Sequence, residues 1–195
     1  MESGREKLYE GLGLMYRGGW ILLIGLFGGM LLILVPKMIW LGILGLLAAL
    51  LGAVIRIVGQ VKLCSEHRSY KTALVLMIVG TFCNLAERYG SGGIAAASGF
   101  LEAGCSLAGR CFLIHATNRL LRQRGREDIA AKGRRALAVG MICALVTVVL
   151  GESAAPLKDD AEALTAILVV ASVAAIVSEG FMLGYLKGSR DAFRG

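Results

Sequence analysis

The chain has 195 residues, 56% of them hydrophobic, and a mean hydropathy of +0.71, against the roughly 45–50% apolar share of soluble globular domains. That excludes a soluble enzyme or carrier and predicts an all-α membrane protein. The formal charge of +7 does not point to nucleic acid, because the basic residues sit between apolar runs and not on one soluble face.

Residues 1–17 mix Glu2, Glu6 and Glu10 with Arg5, Lys7 and Arg17 and place Leu8, Leu12 and Met15 on one helical side, which predicts a short interfacial helix. No small-residue cleavage signal follows the first apolar run, so a removed signal peptide is not expected. Spans are then predicted at about 18–35, 38–60, 73–88, 94–118, 136–151 and 163–186, each near or above the roughly 17 residues needed to cross the hydrocarbon core. The first and third are short enough that one of them could take a re-entrant course. Pro36-Lys37 turns the chain between the first two, and Gly90-Ser91-Gly92 between the third and fourth. Glu152 to Glu162 is an acidic connector. One domain covers residues 1–195.

Orientation follows from the 21 Lys and Arg residues. Only Lys37, Arg88 and Lys158 fall on one side, Arg56 and Arg110 lie within spans, and all others flank the termini and the loops after the second and fourth spans. The positive-inside rule therefore places both termini in the cytoplasm, with a six-span helical bundle between them. Small size and short loops make the bacterial cytoplasmic (inner) membrane the expected location.

Three residues interrupt the apolar spans in a way lipid does not favour. Glu102 and Arg110 fall in the fourth span and Glu179 in the sixth. An ionised group at the bilayer centre costs on the order of 2.5–3.5 kcal/mol, so such groups face a bundle interior, a partner charge or water. At about 1.5 Å per residue, Arg110 lies roughly 13 Å from Arg119 and Glu179 roughly 12 Å from Lys187, which predicts an Arg110–Glu179 ion pair. Arg56, only about 9 Å from Lys62 by the same rise, is expected to snorkel to the headgroups. Glu102 shares a side with Ser98, Cys105, Ser106 and Gly109, which predicts a cavity wall, and at that depth a protonated carboxyl is expected. Glu102, Ser106, Arg110 and Glu179 are thus the candidate substrate- or ion-binding residues.

Other motifs carry less. The five cysteines form no C-x-x-C pair, and His67 and His115 have no partner at metal-ligand spacing. No phosphate loop, metalloprotease motif or nucleophile elbow occurs, so no catalytic residue, metal or cofactor is expected. The pairs Gly25/Gly29, Ala48/Gly52 and Ala171/Ala175 are expected to pack helices within the bundle, self-association into a homo-oligomer being the other use of such pairs. The segment Arg119–Arg135 alternates basic residues with Leu120, Leu121, Ile129 and Ala130. It would suit an amphipathic helix on anionic lipid or a cytosolic protein partner, although topology alone produces the same charge bias.

The size and six-span outline are similar to those of the substrate-binding components of energy-coupling-factor vitamin transporters. The likeness covers the whole chain, and no motif carries residues across. The function expected is a small-solute or ion transporter, or the membrane subunit of a transport complex. The alternatives are a non-catalytic scaffold, regulatory or immunity-type protein and, less favoured, an intramembrane enzyme.

Overall fold

The computed structural model describes residues 2–35, 37, 39–89, 93–154 and 160–194, leaving aside the side chains of 2, 3, 87, 88, 93–96 and 152–154. Among the described residues the chain is all-helical: α1 (Glu2–Leu34), α2 (Ile39–Leu63), α3 (Arg68–Tyr89), α4 (Gly93–Arg122), α5 (Glu127–Ala154) and α6 (Ala161–Ala192). Five of these, all except α4, are long and apolar enough to cross a membrane. With 30 residues α4 has the length, but its polar residues lower its hydropathy. It runs antiparallel to α3, with Gly80 against Cys105 and Gly109 against the Ala73 carbonyl, and so passes through the same depth. The first and third helices are 33 and 22 residues long, which removes the reason for a re-entrant course.

The helices form three antiparallel hairpins joined side by side in the order α2, α1, α6, α5, α4, α3, with α2 only sparsely touching α3. The tightest junction is α1 on α2. Gly11, Gly18 and Gly25 recur every seven residues on α1 and face Gly59, Gly52 and Gly45 on α2. A Cβ on Gly59 would stand 2.7 Å from the Gly11 carbonyl oxygen, one on Gly52 2.6 Å from that of Gly18, and one on Gly25 2.7 Å from that of Gly45. Seven residues are two turns of a slightly underwound helix, so the glycines stay on one seam and the backbones touch along it. The expected Gly25/Gly29 pair is corrected here: Gly25 lies in the seam, while a Cβ on Gly29 meets nothing within 4 Å.

The large buried side chains collect at one end of the bundle. Leu12 and Met15 of α1, Leu63 of α2, Tyr70 of α3, Leu121 of α4 and Leu186 of α6 close it as a plug. Thr117 donates to the Leu113 carbonyl at 2.9 Å, so Tyr70, 2.9 Å from the Thr117 hydroxyl, is the donor there, and Tyr185 donates to Asn118 at 2.9 Å. These buried hydroxyls are therefore satisfied. The charged ends gather at the same end: Lys62 pairs with Glu10, Arg124 lies 4.5 Å from the Phe193 ring centroid, and Arg119 reaches His67. This is the basic end that the positive-inside rule places in the cytoplasm. Towards the other end a belt of apolar side chains, such as Ile24, Leu47, Phe82, Ile142 and Leu145, is exposed all round, far more than a water-soluble surface carries. The chain is a multi-pass membrane protein, and these side chains face lipid.

At the basic end one expectation is overturned, and one of the readings open for the basic segment is set aside. Residues 2–17 are no separate interfacial helix: α1 runs unbroken from Glu2, because Leu8, Leu12 and Met15 continue its buried stripe into the plug. The basic segment is no amphipathic helix on the membrane surface either. It is the end of α4, a tight turn and the start of α5, with Leu121, Ile129 and Ala130 buried inside the bundle. Gly125, at φ 69°, makes the turn: Arg126 N–H bonds the Leu121 carbonyl and Gly125 N–H that of Arg122, each at 3.0 Å, the pattern that ends a helix on a left-handed glycine. At the opposite end Asp160 caps α6, accepting from Glu162 N–H at 3.1 Å and Ala163 N–H at 3.0 Å. The acidic connector at 155–159 and the turn at 90–92 lie outside the described residues.

The seam makes a prediction. Gly52→Ala forces a methyl against the Gly18 carbonyl and the Leu22 amide, both backbone, and should lower the unfolding free energy in detergent by about 1–3 kcal/mol. Gly29→Ala adds a better helix former in open space and should be neutral or stabilising by up to about 1 kcal/mol. Equal responses at the two positions would contradict the seam.

Candidate functional site

Beyond the plug the helices diverge around a cavity of about 650 Å³, walled chiefly by α1, α4, α5 and α6. Its lining on α4 runs from Gly99 to Arg110 and on α5 from Gly140 to Gly151, in each case about 16 Å along the helix axis. The floor lies against the plug, and the upper end points away from the basic end of the bundle. All four candidate residues, Glu102, Ser106, Arg110 and Glu179, line this space.

Their placement follows from helix geometry. Glu102, Ser106 and Arg110 stand four residues apart, so they climb one strip of α4 with a drift of about 40° per step. Gly99, Ala103 and Leu107 complete the strip. The side expected from the sequence is shifted: Cys105 and Gly109 face α3, not the cavity. Asn84 of α3 and Thr147 of α5 add polar groups towards the upper end. Glu87 and Arg88, expected to form a rim with Asn84, have side chains outside the described residues.

The floor corrects the predicted ion pair. Glu179 binds Arg56, with Nη1 2.7 Å from Oε1, while the Arg110 guanidinium donates to Ser178 Oγ at 2.6 Å. Glu179 is 3% exposed and Arg56 17%, so Arg56 does not snorkel to the headgroups. The partners differ from expectation because of what lies between them. Helix α2 does not pack on α6; α1 stands between the two. At the level of the pair, however, α1 carries Gly18 and Gly19. A Cβ on Gly18 would lie 2.8 Å from Arg56 Cγ, and one on Gly19 3.1 Å from Glu179 Oε1. Arg56 reaches α6 through the gap that these two glycines leave.

Sequence reasoning missed Arg56, Ser178 and the Gly18-Gly19 gap. One signal was present: Arg56 falls four residues after Gly52 and three before Gly59, on the glycine seam, which directs it at α1 and away from lipid. Ser178 carried no signal of its own, since a lone helical serine usually bonds its own backbone.

Among the described residues no group of His, Cys, Asp or Glu could hold a metal ion. The five cysteines are free. Burial pushes the Cys64 thiol up, against the opposing charge of Lys71, which leaves it a poor nucleophile. Cys143 lines the cavity. Arg110 with Ser178 offers hydrogen-bond donors to an anion, and Glu102 offers an acceptor or counter-charge to a cation or proton.

No protein-family model, curated protein or solved structure matches the chain. The likeness in outline to vitamin-transporter components gains no support from these comparisons.

The corrected pairing is testable by a double-mutant cycle. Arg56→Ala and Glu179→Ala should each cost about 3–5 kcal/mol, since each leaves a buried charge behind, and the double variant should cost far less than their sum. Arg110→Ala with Glu179→Ala should be closer to additive. Strong coupling in the second cycle and none in the first would restore the Arg110–Glu179 pair.

Proposed function

We propose that the protein binds a small solute or ion in this cavity and moves it across the membrane, alone or as the membrane subunit of a transport complex. The observation that carries this reading is the cavity itself: opposite charges on one wall, at the depth of the apolar belt, in a space large enough for a small molecule. Charged residues kept inside a bundle against the cost of insertion mark solute and ion pathways, and transporters commonly hold their cargo near the membrane midplane.

The plug gives the cavity a direction. It closes the basic end, so solute is taken up from the opposite side and released when the packing around Tyr70, Thr117 and Tyr185 loosens. Glu102 is the residue through which a proton or cation couples to that change. Binding and translocation, not catalysis, is the chemistry this arrangement supports, and the bacterial cytoplasmic membrane is where we place it. Arg122, Arg134 and Arg135, exposed at the basic end, are where a coupling subunit or anionic lipid would meet it.

Native mass spectrometry after gentle extraction, followed by uptake into proteoliposomes, tests the reading. Wild type should retain a small molecule that Glu102→Gln releases, and that molecule should be taken up by wild-type vesicles only. A stoichiometric protein partner with no solute and no uptake would instead establish the scaffold. Access is measured separately, with Cys143 as the one remaining thiol. A membrane-impermeant methanethiosulfonate should label it from the side opposite the basic loops and not from the basic side. No labelling from either side would mean a dry interior and would count against transport.

A further inference from the structure

Resting on the binding reading above, the surroundings of the cavity also point to how its cargo enters and of what kind it is. We propose that the cavity opens sideways into the half of the bilayer away from the basic end, between the first and second hairpins. Its cargo is then an amphiphile dissolved in the membrane, with the polar end inside the cavity and the hydrocarbon chain in the opening.

The opening follows from which helices meet. Among the described residues α1 and α4 wall the same cavity without packing on each other. On that side the ring is completed only by α2 and α3, which touch sparsely. They come together at the plug, where Leu63 and Tyr70 are buried in one cluster and a short loop joins the two helices. Above the plug they part. In α2 the seam glycines mark the face on α1, and residues about 100–140° from them lie on its two flanks. Leu46, Leu50 and Ile57 on one flank and Leu44, Leu51 and Val58 on the other are all exposed. Neither flank of α2 is covered by α3. In α3 Gly80 marks the face on α4, and Asn84, about 40° round by helix periodicity, lines the cavity. Thr81 and Leu85 lie further round in the same sense, at about 100° and 140°, and both are exposed. The cavity-side flank of α3 is therefore open too, and the gap between the hairpins joins the apolar belt to the cavity.

The walls decide what fills that gap. Water finds no hydrogen bonds between apolar side chains, whereas a hydrocarbon chain gains the packing contacts that a void forfeits. Inside, the same character continues along Leu22 and Leu26 of α1 and Ala144 and Val148 of α5. Thr147 spends its hydroxyl on the Cys143 carbonyl at 2.8 Å. Polar groups are concentrated instead on the α4 strip and at the floor, where Arg110 meets Ser178. A hydrated ion gains nothing from the apolar walls, and a wholly apolar molecule would cover the polar strip without bonding to it. One polar end and one apolar chain suit both. Where the polar groups stand, and not their net charge, sets this orientation. About 650 Å³ is the size of site that holds a small organic molecule, so the polar end and the first part of a chain fit inside while the rest lies in the gap.

The probe for the test is monooleoylglycerol brominated across its double bond, a neutral single-chain amphiphile whose chain quenches tryptophan on contact. The full-length protein in lipid nanodiscs, with Trp20→Phe and Trp40→Phe removing both native tryptophans, carries one reporter. Leu26→Trp places it in the cavity wall and Leu47→Trp on the lipid-facing belt. Quenching of the Leu26→Trp reporter should saturate stoichiometrically and be reversed by unbrominated monooleoylglycerol, while that of the Leu47→Trp reporter should rise in proportion to the probe in the membrane. Ala144→Phe, which fills the cavity, should abolish the saturable part, and Thr81→Phe, which narrows the gap, should weaken it severalfold. If the reporter variants do not fold, native mass spectrometry of the wild type decides: it should retain the probe stoichiometrically, and Ala144→Phe should not. Quenching of the Leu26→Trp reporter by aqueous iodide but not by the brominated chain would overturn the lateral opening and leave a cavity fed from water. Unsaturable quenching at both positions would overturn it as well. Saturable binding with no transfer of the probe across proteoliposome membranes would uphold the site and refute transport. Uptake of a water-soluble solute, with no saturable quenching, would do the reverse.

Discussion

The bundle depends on a side-chain contact made past a helix whose intervening face is bare, being glycine at both positions. Arg56 and Glu179 belong to helices that do not pack on each other, and they meet at 2.7 Å because α1 presents Gly18 and Gly19 between them. Each charge alone would cost on the order of 2.5–3.5 kcal/mol at the membrane centre. Together they offset part of that cost, but only if α2 lies close enough for one arginine side chain to pass α1. The seven-residue glycine seam brings α2 to that distance, so helix packing and charge pairing are one constraint. A bulky residue in the seam would separate the backbones and withdraw the arginine together.

That constraint frees the rest of the floor. With Glu179 held by Arg56, Arg110 is left with the Ser178 hydroxyl and faces the cavity with donors in reserve. Had the pair formed between α4 and α6, the same three charges would have bound α4 to α6 and left Arg56 over. The chosen pairing ties α2 and α6 around α1 and lets α4 stand away from α6, which it barely touches. The cavity occupies the space that results.

The two halves of the bundle follow different packing rules. At the basic end large side chains and satisfied hydroxyls make a dense plug. Towards the other end small residues let the helices meet in pairs, leaving between the pairs a space with a few polar and charged residues in its apolar walls, and an apolar belt outside.

Much of this was legible in the sequence. Apolar runs of span length, the side on which the lysines and arginines fall, and the rarity of charge within the spans give the helices, their orientation and the short set of candidate residues, because each follows from the cost of placing a local segment in lipid. Glu102, Ser106 and Arg110 share a strip through helix periodicity alone, and the structure brings all three and Glu179 to one cavity. The pairing of the charges was not legible. Depth along the membrane made Arg110 the natural partner of Glu179, yet depth is one coordinate and partners are chosen in three. Which helix stands beside which, and that α1 is bare at Gly18 and Gly19, depends on contacts between segments far apart in the chain. For the same reason residues 2–17 read as a surface helix and the basic segment left that course open, whereas the plug they help to build buries their apolar faces. The sequence by itself determined what each segment needs from its surroundings. Only the tertiary structure decided which other segment supplies it, because packing and ion pairing are set by neighbours in space that no local pattern names.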